Sequence, residues 1–154
     1  MELLGFDEPL FATYAIAASL VILKYLGHGW LTVWAMLSRK GGFLNPEDAN
    51  RGAANPAPRP GQLDPDDLVE RTRRMHRNDM ENAPAFLVGG LLLVLTQPPL
   101  LVAQVLLYGY VATRFVHSLV YFTGRSHEVR ATFYSIGSLI VIGMAITTLV
   151  RAII

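Results

Sequence analysis

The sequence predicts an all-α integral membrane protein, a four-transmembrane-helix bundle, on three observations. Hydrophobic residues make up 52% of the 154-residue chain and charged residues only 16%, on the membrane side of ordinary globular usage. Long apolar stretches alternate with polar segments that carry Pro or Gly. The few polar side chains left near those stretches recur at helical spacing, which groups them into stripes. The length fits one domain over residues 1–154.

Composition also removes several function classes. There is no cysteine, so a disulfide framework, a thiolate metal site and a thiol nucleophile borne by the protein are excluded. Any sulfur chemistry must come from a ligand. No His-x-x-x-His or similar metal spacing and no Gly-rich phosphate loop is present, and the bases alternate with acids at a membrane boundary instead of forming a patch in water. Metal and nucleic-acid binding are set aside. The amino-terminal segment carries Glu2, Asp7 and Glu8 and no base, the wrong sign for a secretory signal, so the first apolar run is read as a retained span.

The first helix is expected over residues 10–37, whose one formal charge is Lys24. At about 1.5 Å per residue it crosses a hydrocarbon core of about 30 Å with some tilt. Lys24 and His28 lie one turn apart; they should face other helices or snorkel, because a lipid-facing cation is expensive, and they are read as structural. Trp30 and Trp34 fit an interfacial belt. Residues 38–67 form a polar loop with Arg39, Lys40, the Gly41-Gly42 pair, and Pro56, Pro58, Pro60 and Pro65; its backbone would go unsatisfied in lipid. Within it Asn45-Pro46-Glu47-Asp48 has the order of a short helix start, with an Asn cap, Pro next and acids against the dipole.

The second helix is expected over residues 68–96, ended by the Gln97-Pro98-Pro99 turn. Arg71, Arg74, Arg77, Asn78 and Glu81 fall on an arc of roughly 120°. The strictly apolar part, residues 83–95, spans only about 20 Å, which draws Asn78, Glu81 and Asn82 toward membrane depth, where polar groups mark a site by default. Pro84 should kink the helix just past the stripe. The third helix, residues 100–122, has Arg114 as its sole charge, and Tyr110, Arg114, His117 and Tyr121 share an arc of about 60°; Tyr110 is read as packing. After a short loop with Gly124 and Arg125, the fourth helix is expected over residues 130–151, with Arg130 in its first turn and Tyr134 one turn deeper. A cation at a helix start opposes the dipole, and a local cost without structural gain hints at function. Eight of the 13 Lys and Arg residues lie between Ser38 and Glu81. By the positive-inside rule the first and third loops face the cytoplasm and both termini the opposite side.

The two stripes bring together several guanidiniums, one carboxylate, an amide, a His and Tyr hydroxyls. Guanidiniums hold carboxylates bidentately and Glu81 would hold an ammonium, which suits a small zwitterion with more than one carboxylate. Glutathione has that chemistry and adds a thiol, which a nearby cation or helix start converts to the nucleophilic thiolate; Arg130 offers the cation.

Asn45-Pro46-Glu47-Asp48, Val69-Glu70-Arg71, the run from Arg74 to Asn82, Arg114 with His117 and Tyr121, and Arg130 with Tyr134 together resemble the MAPEG superfamily of membrane-associated proteins in eicosanoid and glutathione metabolism. The nearest branch is the one holding microsomal glutathione transferase 1 and microsomal prostaglandin E synthase 1. The resemblance implies a homotrimer of four-helix subunits in the bilayer, with glutathione between adjacent subunits near the cytoplasmic side. Arg77, Asn78, Glu81, His117 and Tyr121 would bind the tripeptide, with Arg74 in the same clamp. Arg114 would line the site, Tyr134 would sit near the sulfur, Arg130 would stabilise the thiolate, and Asp48 would partner Arg130. The implied activity is transfer of glutathione to lipophilic electrophiles, with glutathione peroxidase activity beside it; a glutathione-dependent isomerase of lipid peroxides and a non-catalytic lipid-binding relative are the alternatives. Ala131 follows the thiolate Arg, as in the transferase branch, where the synthase carries Ser. Leu37 stands where both relatives have an Arg, with Arg39 and Lys40 close by.

Overall fold

A computed structural model describes residues 4–154; Met1–Leu3, with Glu2 of the acidic amino-terminal segment, lie outside them. Among the described residues the chain is helical without strands: α1 (Pro9–Arg39), α2 (Asp67–Leu95), α3 (Leu100–Phe122) and α4 (His127–Ile153), with one 3-10 turn at Pro46–Ala49 in the long loop. Three of the four, α1, α3 and α4, are long and apolar enough to cross a membrane. The first half of α2 is too rich in charge to join them on composition alone.

The helix ends have clear local causes. Pro9 opens α1, where a missing N–H leaves no helical bond unmade. At its other end Lys40 takes the left-handed conformation, φ 52°. The loop then folds back over the free carbonyls of α1: Arg59 donates to Arg39 O at 2.8 Å and Gln62 to Lys40 O at 3.1 Å. A buried amide pair, Asn55 with Gln62 at 2.9 and 3.2 Å, fixes that fold-back. Asp66 caps α2 by accepting from Leu68 N–H at 2.9 Å and Val69 N–H at 3.1 Å, and Asp67 and Glu70 in the first turn favour the dipole. Gln97 at φ 51° and the two prolines after it end the helix. α2 runs through Pro84 without a break.

One sequence-based detail needs correcting. Asn45 does not cap a backbone amide; its side chain donates to Asp48 Oδ2 at 3.2 Å. The element it opens is a 3-10 turn, whose tighter winding closes Asp48 N–H onto the Asn45 carbonyl at 3.0 Å.

α2 and α3 form the middle of the bundle. α1 packs on both and α4 packs on both, while α1 and α4 do not touch. The core includes Ala17 and Val21 on α1, Phe86, Leu93 and Val94 on α2, Ala103, Leu107 and Tyr110 on α3 and Met144 on α4. Tyr110 is a packing residue as expected, its ring stacked on Phe86 at 4.1 Å. Small residues set the helix spacing: a Cβ on Gly90 would lie 3.0 Å from Leu107 and 3.2 Å from Tyr14, so α1, α2 and α3 converge there. Apolar side chains such as Leu23, Leu101, Leu139 and Leu149 point outward, and Trp30 and Trp34 are exposed, as on helices that face lipid.

Candidate functional site

The polar stretch of α2 divides between two sides of the helix. Val69, Thr72, Met75, Asp79, Ala83 and Phe86 form its buried face. Arg74, Arg77 and Glu81 lie exposed on roughly the opposite side, with no ion pair or side-chain hydrogen bond among the described residues. Arg71 and Asn78 sit on the boundary, half-buried. Arg71 turns to the end of α3, where it donates to Phe122 O at 3.3 Å. Gly124 makes room for it: φ is +70° there, and a Cβ would lie 2.6 Å from Arg71 Nη1.

The buried hub of this region is Asp79, only 4% exposed. Its Oδ2 accepts from Lys24 and lies 2.7 Å from His28 Nδ1, and its Oδ1 accepts from Arg114 Nη2 at 2.7 Å. Lys24 and His28 therefore face a carboxylate on the neighbouring helix. Sequence reasoning singled out Glu81 as the acid of the stripe and missed Asp79. The available signal was its place in the 3–4 residue series of the apolar face. An acid in that series at this depth needs cations opposite, and α1 and α3 each carry them.

Next to the hub opens a cleft of about 310 Å³ lined by Asn78 of α2, His117 and Tyr121 of α3, and His127, Arg130, Ala131 and Tyr134 of α4. Spacings of four residues, His117 to Tyr121 and Arg130 to Tyr134, bring each pair onto one helix face. A Cβ on Gly137 would lie 3.1 Å from Thr113 Oγ1 and 3.5 Å from Arg114 Cδ, so the glycine gives α4 room to approach α3 closely. The Arg130 guanidinium lies 4.8 Å over the Tyr121 ring, a cation–π contact that orients it. His117 meets Tyr121 edge-on at 5.7 Å. His117 Nδ1 and Arg130 Nε are buried and have no hydrogen-bond partner among the described residues. Buried polar atoms without partners are rare, and two of them in one cleft suit a ligand that hydrogen-bonds them.

Five of the residues singled out in the sequence meet here: Asn78, His117, Tyr121, Arg130 and Tyr134. Arg114 does not line the cleft. It is 2% exposed and stands behind Asn78, whose Oδ1 accepts from its Nη2 at 2.6 Å; pairing with Asp79 pulls it into the bundle. Arg74, Arg77 and Glu81 face away from the core, and Asp48 is exposed on the loop with no ion pair to Arg130 among the described residues. His127 lines the cleft and was not foreseen; its position three residues before Arg130 on the same helix was the available clue.

A helical bundle with lipid-type outer faces and a cationic, aromatic-walled cleft at the start of its last helix defines the class: an all-helical membrane protein. Residues 14–150 match the MAPEG family, and the chain belongs to it. It is 34% identical over 140 residues to human microsomal glutathione S-transferase 1, covering 90% of this chain and 88% of the relative. The rat protein of the same name is 31% identical over the same length. Prostaglandin E synthase of Macaca fascicularis is 31% identical over 149 residues, covering 97% of this chain and 94% of the relative.

Proposed function

We propose that the protein is a membrane-bound glutathione transferase that holds the thiol as thiolate for attack on electrophiles dissolved in the bilayer. The observation that carries this reading is Arg130: a guanidinium braced on Tyr121, with a buried Nε free of partners, in a cleft shared with the unpartnered His117 Nδ1. A cation fixed in a partly dehydrated cleft favours thiolate over thiol. The thiol proton leaves to solvent, the sulfur forms a bond to the electrophilic carbon, and the leaving group departs with its electron pair. The protein contributes thiolate stabilisation and proximity. Tyr134, one turn from Arg130, would donate to the sulfur. With a hydroperoxide as acceptor the same thiolate would give peroxidase activity.

The exposed side of α2 supports a site completed by a second copy. Arg74, Arg77 and Glu81 would meet lipid in an isolated subunit, which is unfavourable for charges. In a homotrimer of single-domain subunits in which α2 is the fourth span, these residues turn toward the neighbour and clamp the ends of glutathione together with Asn78, His117 and Tyr121. Asp48 of one subunit would then reach Arg130 of the next. The first and third loops would face the cytoplasm and both termini the opposite side, as the distribution of bases favours.

Ala131 favours transfer over isomerisation: it lines the cleft directly after Arg130 and offers no hydroxyl to a bound peroxide. Counting free thiol during turnover separates the two, since transfer consumes thiol and isomerisation conserves it. The decisive experiment is thiolate absorbance at about 240 nm when glutathione is added to the detergent-purified protein. A thiolate band is expected in the parent and its loss in Arg130→Leu; equal bands in both would refute the role of Arg130. Calorimetry that found no glutathione binding at all would leave a lipid-binding relative without transferase activity.

A further inference from the structure

Arg114 Nη2 carries two hydrogens, and both are engaged: one with Asp79 Oδ1 at 2.7 Å, the other with Asn78 Oδ1 at 2.6 Å. A guanidinium only donates, so the oxygen of the Asn78 carboxamide must be the atom turned toward it. The NH2 of Asn78 is then free of Arg114 and has no protein partner among the described residues, and Asn78 lines the cleft. What holds Arg114 in this pose is Asp79. Its other oxygen is occupied by Lys24 and His28, so Oδ1 alone is left to grip Arg114. The group as a whole carries the two cations Lys24 and Arg114 against one carboxylate. That imbalance beside the cleft favours a negatively charged ligand group.

We propose that Asp79 is a positioning residue for the cleft: through Arg114 it fixes the orientation of Asn78, so that this wall offers hydrogen-bond donors only and selects a ligand carboxylate or carbonyl at that point. The inference rests on the glutathione reading for the identity of the ligand, although the orientation of Asn78 does not depend on it. Lys24 and His28, fifty or more positions from any cleft residue in sequence, occupy the other oxygen of Asp79 and stand outside the cleft.

Asn78→Asp tests the orientation. It keeps an acceptor for Arg114 and removes both cleft-side donors, placing negative charge in the wall. Calorimetry with glutathione on the full-length protein in detergent should show binding weakened about tenfold or more. Binding equal to the parent would overturn the proposal, because it would mean that the oxygen, not the NH2, faces the ligand. Asp79→Asn, compared with Lys24→Met, tests the positioning. Both disturb the buried cluster, so a purely structural role lowers affinity in both in step with the melting temperature. Positioning predicts that Asp79→Asn raises KM for glutathione about tenfold with kcat at saturation nearly unchanged, whereas Lys24→Met shifts KM by no more than about threefold.

A ligand-free readout keeps this separate from the functional reading. In protein labelled with 15N at asparagine, the Asn78 side-chain resonance, assigned by its absence in Asn78→Ser, should be dispersed and slow to exchange in the parent and averaged in Asp79→Asn. An unchanged resonance would overturn the positioning role even if glutathione binds. Failure of the parent to bind glutathione, with the resonance behaving as expected, would overturn the transferase reading alone.

Discussion

Arg130 is aimed by Tyr121, and the two can be separated by substitution. Tyr121→Phe keeps the ring under the guanidinium and loses only the hydroxyl; Tyr121→Leu removes the quadrupole that holds the cation. Thiolate formation should stay within about twofold of the parent in the Phe variant and fall about fivefold or more in the Leu variant, read from the absorbance of the glutathione complex. An equal loss in both would mean that the hydroxyl, not the ring, is what matters. His117, Tyr121, Arg130 and Tyr134 were legible in the sequence because each pair is spaced by four residues within one helix, and helical periodicity alone places such pairs together. The part played by Arg114, and Asp79 altogether, were not. Their roles depend on which of several cations on three helices meets which acid, and periodicity within a helix carries no information about that.

At the scale of elements, arginines of α2 and of the long loop hold down the ends of other helices. Arg71 reaches the end of α3 and Arg59 covers the last carbonyls of α1, while Arg73 pins the loop just after α1 through Gly42 O at 2.6 Å. These contacts supply cations where the helix dipoles are negative. The Arg71 contact requires Gly124, whose left-handed backbone and missing Cβ both matter. Gly124→Ala should lower stability by about 1–2 kcal/mol through backbone strain, with further loss from displacing Arg71. Thermal unfolding in detergent would show it as a lowered midpoint; an unchanged midpoint would mean that the α3–α4 turn relaxes freely. Arg71 belongs to the stripe from which the sequence draws its ligand clamp. The structure gives it to the end of α3, because it lies at the edge of the exposed stripe.

At the scale of the whole molecule, the proposed trimer makes a geometric prediction that the absence of native cysteine renders clean. Asp48 and Arg130 form no ion pair among the described residues of one chain, and the 3-10 turn that carries Asp48 does not pack against α4. In a protein carrying both Asp48→Cys and Arg130→Cys, oxidation should therefore yield covalent oligomers on a non-reducing gel. Only internally linked or unlinked monomer would speak against an intersubunit site. The Asp79 hub also spans the molecule, tying α1, α2 and α3 together. Breaking a buried charged cluster by removing one member leaves the others unpaired, at a cost of about 3–5 kcal/mol.

The sequence by itself determined the membrane class, the family, the helical order and the residues that α3 and α4 bring to the cleft. The class, the helical order and the cleft residues follow from composition and from spacing within one helix; the family follows from the likeness of whole motifs, such as the run from Arg74 to Asn82, and from the match over residues 14–150. Only the tertiary structure decided which side of α2 turns inward, and with it that Asp79 is buried while Arg74, Arg77 and Glu81 are not. The physical reason is that periodicity gives the angles between residues about a helix axis but not the rotation of that helix against its neighbours. In water an apolar stripe fixes the rotation by facing the core. In a membrane-type helix lipid and core are both apolar, so polar contacts and small residues such as Gly90 and Gly137 set it instead, and these lie on different helices.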